Sequence, residues 1–182
     1  MPGRLKIQCA ILSAVLLTSS AAAGVLSDFV APASGDGFCW ERTYSDAHLA
    51  RHPGQKVTEL RFLLQYDAKR QDYDFNIDIA TRERAGTVTG SCDVDAVEAV
   101  VCTVTCDSGE VMLKRSGSGN AILLEIGKTG RLMVNAHCAN GGGAPAFAIE
   151  AEPDDRIFKL QPASTRTCTV QPFGPFLDQR GK

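Results

Sequence analysis

Hydrophobic and polar positions alternate with a period of two along most of the chain after Lys56. The clearest run is Asp72–Ile79, where large apolar residues alternate with acidic or amide residues. The run Val57–Tyr66 alternates in the same way, with Leu63 as an exception. A period of two places successive side chains on opposite faces of an extended strand. Both runs are therefore predicted to be strands with one buried face.

Shorter apolar or alternating segments follow, separated by turn residues. The predicted strands in this part of the chain are Thr87–Thr89, Val97–Cys106, Glu110–Arg115, Ala121–Ile126, Arg131–Cys138, Ala146–Glu150 and Arg156–Gln161. Because no helix separates them, parallel βαβ units are excluded and neighbouring strands should pair antiparallel. We predict an all-β fold, an antiparallel meander closed into an eight-stranded up-and-down barrel, since closure removes exposed edges. A two-sheet β-sandwich is the alternative that the pattern leaves open.

A single short helix is predicted near the N-terminal end of the domain. It spans Ser45–His52, with Ser45 or Asp46 as the N-cap and a Pro-Gly pair after its end. His48 and His52 share one helix face, a spacing that can present two imidazoles to a metal ion. No third ligand is close in sequence, so a structural role for both residues is the simpler interpretation, and a metal site is the alternative.

The first 23 residues have the features of an export signal. Arg4 and Lys6 form a short basic region, Ile7–Leu17 is mainly apolar, and small residues precede a cleavage position after Ala23. The apolar run is well short of the about 20 residues that span a bilayer. No later stretch is long and apolar enough to do so. The mature protein is therefore expected to be periplasmic or secreted.

Composition divides the rest of the chain into three parts. Residues 24–38 are predicted to form an extended lead-in, residues 39–170 a single disulfide-stapled domain, and residues 171–182 a loose tail. The chain has 19 basic and 21 acidic residues, and loss of the two basic residues of the signal would leave a net charge of −4. A mildly acidic chain has no electrostatic reason to bind nucleic acid or an anionic membrane.

The cysteines indicate a disulfide framework. Signal removal would take Cys9 and leave an even number, which in an oxidising compartment is typical of three disulfides. The remaining six are Cys39, Cys92, Cys102, Cys106, Cys138 and Cys168. The absence of Cys-x-x-Cys argues against a thiolate zinc site and a thioredoxin-type redox site. Cys102 and Cys106 would share one face of a strand, so we expect them to bridge to different neighbours. The pairing we favour is Cys39–Cys168, which would tie the domain's ends together.

Three segments of the mature chain resemble uncharacterised bacterial exported proteins with six cysteines. The segments are Cys39–Tyr44, His48–Pro53 and Asp154–Leu160. The resemblance extends over most of the mature chain. It implies an exported protein and carries no implication of any activity.

Motifs for catalysis or cofactor binding are sparse. The chain has only three histidines and no Gly-x-Ser-x-Gly motif, and paired cysteines would leave no thiol nucleophile. Four EF-hand ligand positions are occupied by the side chains of Asp72, Asp74, Asn76 and Glu83. Ile77, however, stands where that loop needs glycine, which favours a strand over a calcium loop. No catalytic residue and no cofactor is predicted.

The resulting hypothesis is an exported, non-enzymatic binding module for an unknown protein, an envelope component or a small apolar ligand in a barrel mouth. Loops 116–120 and 139–145 are its candidate contact sites. One alternative is a secreted hydrolase, whose Asp or Glu residues would converge in a pocket with raised pKa values. The other alternative is a metal-binding protein that uses His48 and His52.

Overall fold

The computed structural model describes residues 26–30, 37–94, 99–117, 119–135 and 146–169. These residues contain ten strands: β1 (Phe38–Thr43), β2 (Val57–Asp67), β3 (Asp72–Thr81), β4 (Ala85–Val94), β5 (Val100–Val104), β6 (Glu110–Arg115), β7 (Ile122–Ile126), β8 (Arg131–Val134), β9 (Phe147–Glu150) and β10 (Ile157–Ala163). Two short helices, α1 (Asp46–Arg51) and α2 (Thr165–Thr169), and a 3-10 turn at Thr105–Asp107 complete the described elements. No helix in these ranges is both long and apolar enough to cross a membrane.

Eight strands close into an antiparallel barrel. Strands β1 to β7 follow one another around it, and β10 pairs with both β7 and β1. Strands β8 and β9 form a separate two-stranded sheet, an excursion of the chain between β7 and β10. The predicted eight-stranded antiparallel barrel is confirmed, and the sandwich alternative is wrong.

The interior of the barrel is a packed apolar core. Its buried side chains are Trp40, Leu60, Phe62, Leu64, Tyr73, Phe75, Ile77, Ile79, Val88, Cys92, Val100, Cys102, Val104, Val111, Leu113, Ile122, Leu124, Ile126, Phe158 and Leu160. The ring of Phe62 lies 6.0 Å from Trp40 and 5.9 Å from Phe75, measured between centroids. An eight-stranded barrel is just wide enough to be filled by its own side chains or to hold one small ligand, and here the interior is occupied by packed apolar side chains. Ligand binding is therefore to be sought on the outside of the barrel.

A second, smaller apolar cluster lies outside the barrel wall. Leu63, the exception to the alternation of β2, faces outward into this cluster and is 6% exposed. It packs there against Cys39, Cys168 and Ala163. The disulfide Cys39–Cys168 joins β1 to α2, so the favoured pairing of the domain's two ends is confirmed.

The other described disulfide lies inside the barrel. Cys92 on β4 is directly opposite Cys102 on β5, and the two are bonded within the core. Cys106 is also disulfide-bonded, so all five described cysteines are paired, which is compatible with an oxidising, exported location. Cys138 lies outside the described residues.

Cys106 corrects the predicted strand Val97–Cys106. Strand β5 ends at Val104, and Cys106 follows in the 3-10 turn with a φ of 66° and an exposed side chain. A left-handed backbone breaks the alternation of an extended strand. The prediction that Cys102 and Cys106 share a face is therefore wrong, although they do bond to different partners.

Two further parts of the chain differ from the pattern-based assignment. Strand β4 is ten residues long although only Thr87–Thr89 was predicted, because Gly86 and Gly90 conceal its alternation. Residues 26–30 of the lead-in form a turn that packs on the barrel: Leu26 and Val30 are buried, and the Tyr73 hydroxyl donates to the Val30 carbonyl at 2.9 Å.

Helix α1 forms where it was predicted. The Ser45 hydroxyl accepts a hydrogen bond from the His48 N–H at 3.3 Å, as an N-cap does. Leu49 is its one buried residue. The short helix α2, which the sequence did not indicate, contacts β1 and β2 and is held by the Cys39–Cys168 disulfide.

Candidate functional site

A cleft of about 450 Å³ opens between the β3–β4 turn and strand β9. Its lining residues are Lys56, Thr81, Arg82, Glu83, Arg84, Phe147, Ala148 and Ile149. Small-molecule sites typically measure about 300–1,000 Å³ and combine apolar walls with a few polar groups. The cleft therefore has the size and the mixed lining of such a site.

The turn that forms one wall is fixed by Thr81. The Thr81 hydroxyl accepts from the backbone N–H groups of Glu83 and Arg84 and donates to the Arg84 carbonyl at 2.8 Å. The backbone N–H of Thr81 donates to the same carbonyl at 2.8 Å. A turn closed by a buried threonine presents the residues between its ends in one defined arrangement.

The opposite wall is positioned by the attachment of the β8–β9 hairpin to the barrel. Asn135, directly after β8, accepts a hydrogen bond from the Thr87 N–H through its side chain, and its own backbone N–H donates to the Thr87 carbonyl, both at 2.9 Å. Strand β9 pairs with β8 and turns Phe147 and Ile149 toward the core, where they are 8% and 1% exposed. The hairpin therefore supplies the apolar part of the cleft.

Charged side chains from the turn lie beside this apolar surface. The guanidinium group of Arg84 stacks over the Phe147 ring at 5.0 Å from its centroid. Glu83 lies 3.8 Å from the same guanidinium group, with both side chains largely exposed. Lys56 forms an ion pair with Glu152 at 3.0 Å, and this contact raises the pKa of Lys56.

Arg82 is held by main-chain carbonyl groups. Its guanidinium group donates to the carbonyl oxygens of Gln55 at 3.1 Å, Leu49 at 3.0 Å and His52 at 3.5 Å. Leu49 and His52 belong to the C-terminal end of α1, where a cation complements the helix dipole. Arg82 therefore both fastens the helix to the turn and fixes a positive charge at the cleft.

His48 and His52 lie together at the end of α1, outside the cleft lining. Their rings are stacked, with centroids 4.4 Å apart and an angle of 20° between the planes. A nitrogen of His48 is 2.9 Å from the Gln55 side-chain oxygen, and Nδ1 of His52 is 3.2 Å from an Asp154 carboxylate oxygen. Tyr44 stacks on His48 at 4.8 Å, and burial raises the pKa of the Tyr44 hydroxyl.

This arrangement places two imidazoles side by side as the helix spacing predicted. Among the described residues, however, no group of three or more His, Cys, Asp or Glu side chains is arranged to hold a metal ion. One nitrogen of each ring already faces an amide or carboxylate oxygen. The metal site at His48 and His52 stays a prediction that the geometry does not strengthen.

Two buried carboxyl groups have raised pKa values. Burial raises the pKa of Asp155, whose carboxylate accepts from the backbone N–H groups of Lys56 at 2.6 Å and Val57 at 3.2 Å. Burial also raises the pKa of Asp78, which accepts from the Asn76 amide at 3.3 Å. Asp155 is 0% and Asp78 2% exposed, and neither lines the cleft, so these groups suit structural roles better than acid–base catalysis.

A second groove of about 530 Å³ lies along the outer surface of the barrel. Its lining residues are Arg70, Asp74, Phe75, Thr89, Gly90, Ser91, Thr103, Val104 and Thr105. The Arg70 guanidinium group is paired with the carboxylates of Asp67 and Asp74. The two charged residues that line this groove are therefore paired with each other. The polar groups left to contact a ligand are mainly the hydroxyl groups of serine and threonine.

Of the two loops predicted as contact sites, 116–120 and 139–145, no described residue lines either the cleft or the groove. In loop 116–120, the carbonyl group of Asn120 accepts a hydrogen bond from the Trp40 indole N–H at 2.7 Å, which gives the loop a structural role. Ser118 and the whole of loop 139–145 lie outside the described residues.

The sequence pattern did not nominate the residues of the cleft. The pattern indicates only a turn at Glu83–Gly86 and a short strand at Ala146–Glu150, and it gives Arg82 no role. Two arginines flanking one turn residue are a usable signal of charge at a hairpin end. Strand β9 lies beside this turn because of contacts between residues far apart in the sequence. A local pattern of residues does not reveal such contacts.

Comparisons with protein-family models, with curated proteins and with solved structures find no significant match for this chain. No residue roles are therefore transferred from another protein to this chain.

Proposed function

We propose that this protein is an exported, non-enzymatic binding module that holds a small molecule with an apolar part in the cleft between the β3–β4 turn and β9. The observation that carries the proposal is the contrast between a filled barrel and this open, partly apolar cleft. A ligand inside the barrel would have to displace core side chains, whereas the cleft already has suitable space.

The scaffold is suited to presenting such a site with little reorganisation. The Cys92–Cys102 disulfide holds β4, the strand that follows the cleft turn, and Cys39–Cys168 holds the two ends of the domain. The Thr81 hydrogen bonds fix the turn itself. Preformed sites bind small molecules at a lower entropic cost than sites that must be ordered. Periplasmic or secreted localisation, supported by the signal-like N-terminus and the disulfides, is part of the same proposal.

The experiment fills the cleft and measures binding of the neutral, apolar dye Nile red by fluorescence titration. Ala148→Trp places a bulky ring in the cleft lining, and Ala68→Trp, in the exposed β2–β3 turn at the other end of β3, is the matched control. We expect saturable binding to the wild-type mature protein and to Ala68→Trp, and binding at least about tenfold weaker in Ala148→Trp, a loss of about 1.4 kcal/mol. Equal affinity in the two variants, or no saturable binding to wild type, would overturn the proposal.

A further inference from the structure

We propose that the ligand of the cleft is an amphipathic anion, with its charged group at Arg82 and Arg84 and its apolar part against Phe147 and Ala148. This inference rests on the proposed function, because it assigns a chemical class to the occupant of the same cleft. In this arrangement the two arginines discriminate an anion from a neutral analogue of the same length.

Arg82 provides a positive charge that is held in place by main-chain carbonyl groups. Its three acceptors are neutral main-chain carbonyl groups of Leu49, His52 and Gln55. No carboxylate of the described residues forms an ion pair with it. A guanidinium group held in this way keeps its charge available and loses little further entropy when an anion binds.

Arg84 places a second positive charge directly on the apolar surface. Its guanidinium carbon lies 5.0 Å from the centroid of the Phe147 ring, which forms part of the same lining. A ligand that contacts Phe147 therefore has a cation within reach at its polar end. This juxtaposition of an aromatic ring and a guanidinium group is the feature that favours an amphipathic ligand over a purely apolar one.

The other charged residues of the cleft determine how strongly it attracts an anionic group. Lys56 is paired with Glu152 at 3.0 Å, so its charge is largely offset. Glu83 lies 3.8 Å from the Arg84 guanidinium group and would compete with a ligand anion for it. With Lys56 offset by Glu152, the lining still has two arginines against one carboxylate, which makes it a local positive region on a chain with a net charge of −2. Such a region raises the local concentration of small anions.

The test compares sodium octanoate with 1-octanol, two probes of equal chain length that differ in the charge of the head group. Binding to the disulfide-intact mature protein is measured by isothermal titration calorimetry at low salt. We expect octanoate to bind about tenfold more tightly than octanol, as a partly exposed charge-assisted hydrogen bond would produce. The preference should decline as salt is added, since the rim of the cleft is exposed.

Three charge substitutions locate the effect. Arg84→Gln should abolish most of the preference for octanoate over octanol, and Glu83→Gln should increase the preference because a competing carboxylate is removed. Lys114→Gln is the control, since it removes one exposed positive charge from β6, which does not contribute to the cleft. A preference that survives in Arg84→Gln would overturn the inference.

The outcomes separate this inference from the proposed function. Equal affinity for octanoate and octanol in the wild-type protein would retain the cleft as an apolar site and overturn the anionic ligand. Failure of both probes to bind would overturn the two proposals together.

Discussion

At the scale of single residues, Asp78 shows that a position on the outer face of a strand need not be solvated. The alternation of β3 places Asp78 on that face, opposite Arg61 of β2. It is nevertheless 2% exposed and accepts a hydrogen bond from the Asn76 amide. The nearby Arg61 charge lowers the pKa of Asp78, but burial is the larger effect and the net pKa is raised. Compared with the unfolded state, the native state therefore binds the proton of this carboxyl group more strongly.

This raised pKa predicts a pH-dependent effect of Asp78→Asn on stability. Below the usual pKa of aspartate, 3.8, the carboxyl group is protonated in both the folded and the unfolded state. As the pH rises through the folded-state pKa, the unfolded state has already released its proton, and the stability contributed by protonated Asp78 is lost. Asparagine cannot ionise, so the variant avoids this loss.

The measurement is the free energy of unfolding in urea for both proteins at pH 3 and at pH 7. We expect the stability of Asp78→Asn relative to wild type to increase between the two pH values. Asp155, whose pKa is also raised by burial, is present in both proteins and cancels in the comparison. A difference that is constant or decreases with pH would contradict the assignment.

At the scale of elements, the two described disulfides stabilise the barrel in different ways. Cys92–Cys102 joins neighbouring strands across a sequence separation of 10, and Cys39–Cys168 closes a loop with a separation of 129. In the chain-entropy model these closures restrict the unfolded state by about 3 and about 5 kcal/mol respectively. The longer bridge therefore confines almost the whole unfolded domain, and the shorter one only a hairpin.

Removing the bridges one at a time should separate these two effects. The double variant Cys39→Ala/Cys168→Ala should unfold with a larger urea m-value than wild type, because its unfolded chain expands and exposes more surface. Cys92→Ala/Cys102→Ala should lose stability with little change in m, since the hairpin that it frees is short. Equal changes of the m-value in the two variants would contradict this distinction.

At the scale of the whole molecule, the fold could be predicted to the extent that it depends on strand periodicity. The alternation in Asp72–Ile79 and Val57–Tyr66 is strong because each strand has one face in the core, and it led to a closed antiparallel barrel. Strand β1 was not predicted, since Phe38–Thr43 has a short and irregular burial pattern. Leu63 and Asp78 depart from simple inside–outside alternation because parts of the outer wall are themselves covered.

The candidate site could not be predicted in the same way. It depends on the approach of β9 to the β3–β4 turn, which Asn135 fixes through hydrogen bonds to Thr87, 48 residues away in the chain. Arg82 likewise depends on carbonyl groups of α1, 33 residues away at Leu49. Contacts of such long range leave no local periodicity, so the cleft became visible only in the folded arrangement.

Closure of the barrel by β1 and β10 also predicts that the protein tolerates circular permutation. The Cα atoms of Cys39 and Cys168 are 5.9 Å apart, so the two ends of the barrel domain are adjacent and a flexible linker can join residue 169 to residue 37. New termini in loop 116–120 would interrupt the exposed β6–β7 turn and no strand pair, and exposed turns are the positions where permutation generally succeeds. As a control, new termini between Phe75 and Asn76 would cut β3, which pairs with both β2 and β4.

Trp40 is the only tryptophan and is buried in the barrel, so its fluorescence reports on the core directly. We expect the loop permutant to retain the emission of a buried tryptophan and a single cooperative urea transition. The β3 permutant should lose both, because the cut interrupts the strand pairing of the closed barrel. Equal behaviour of the two permutants would contradict the importance of that closed pairing.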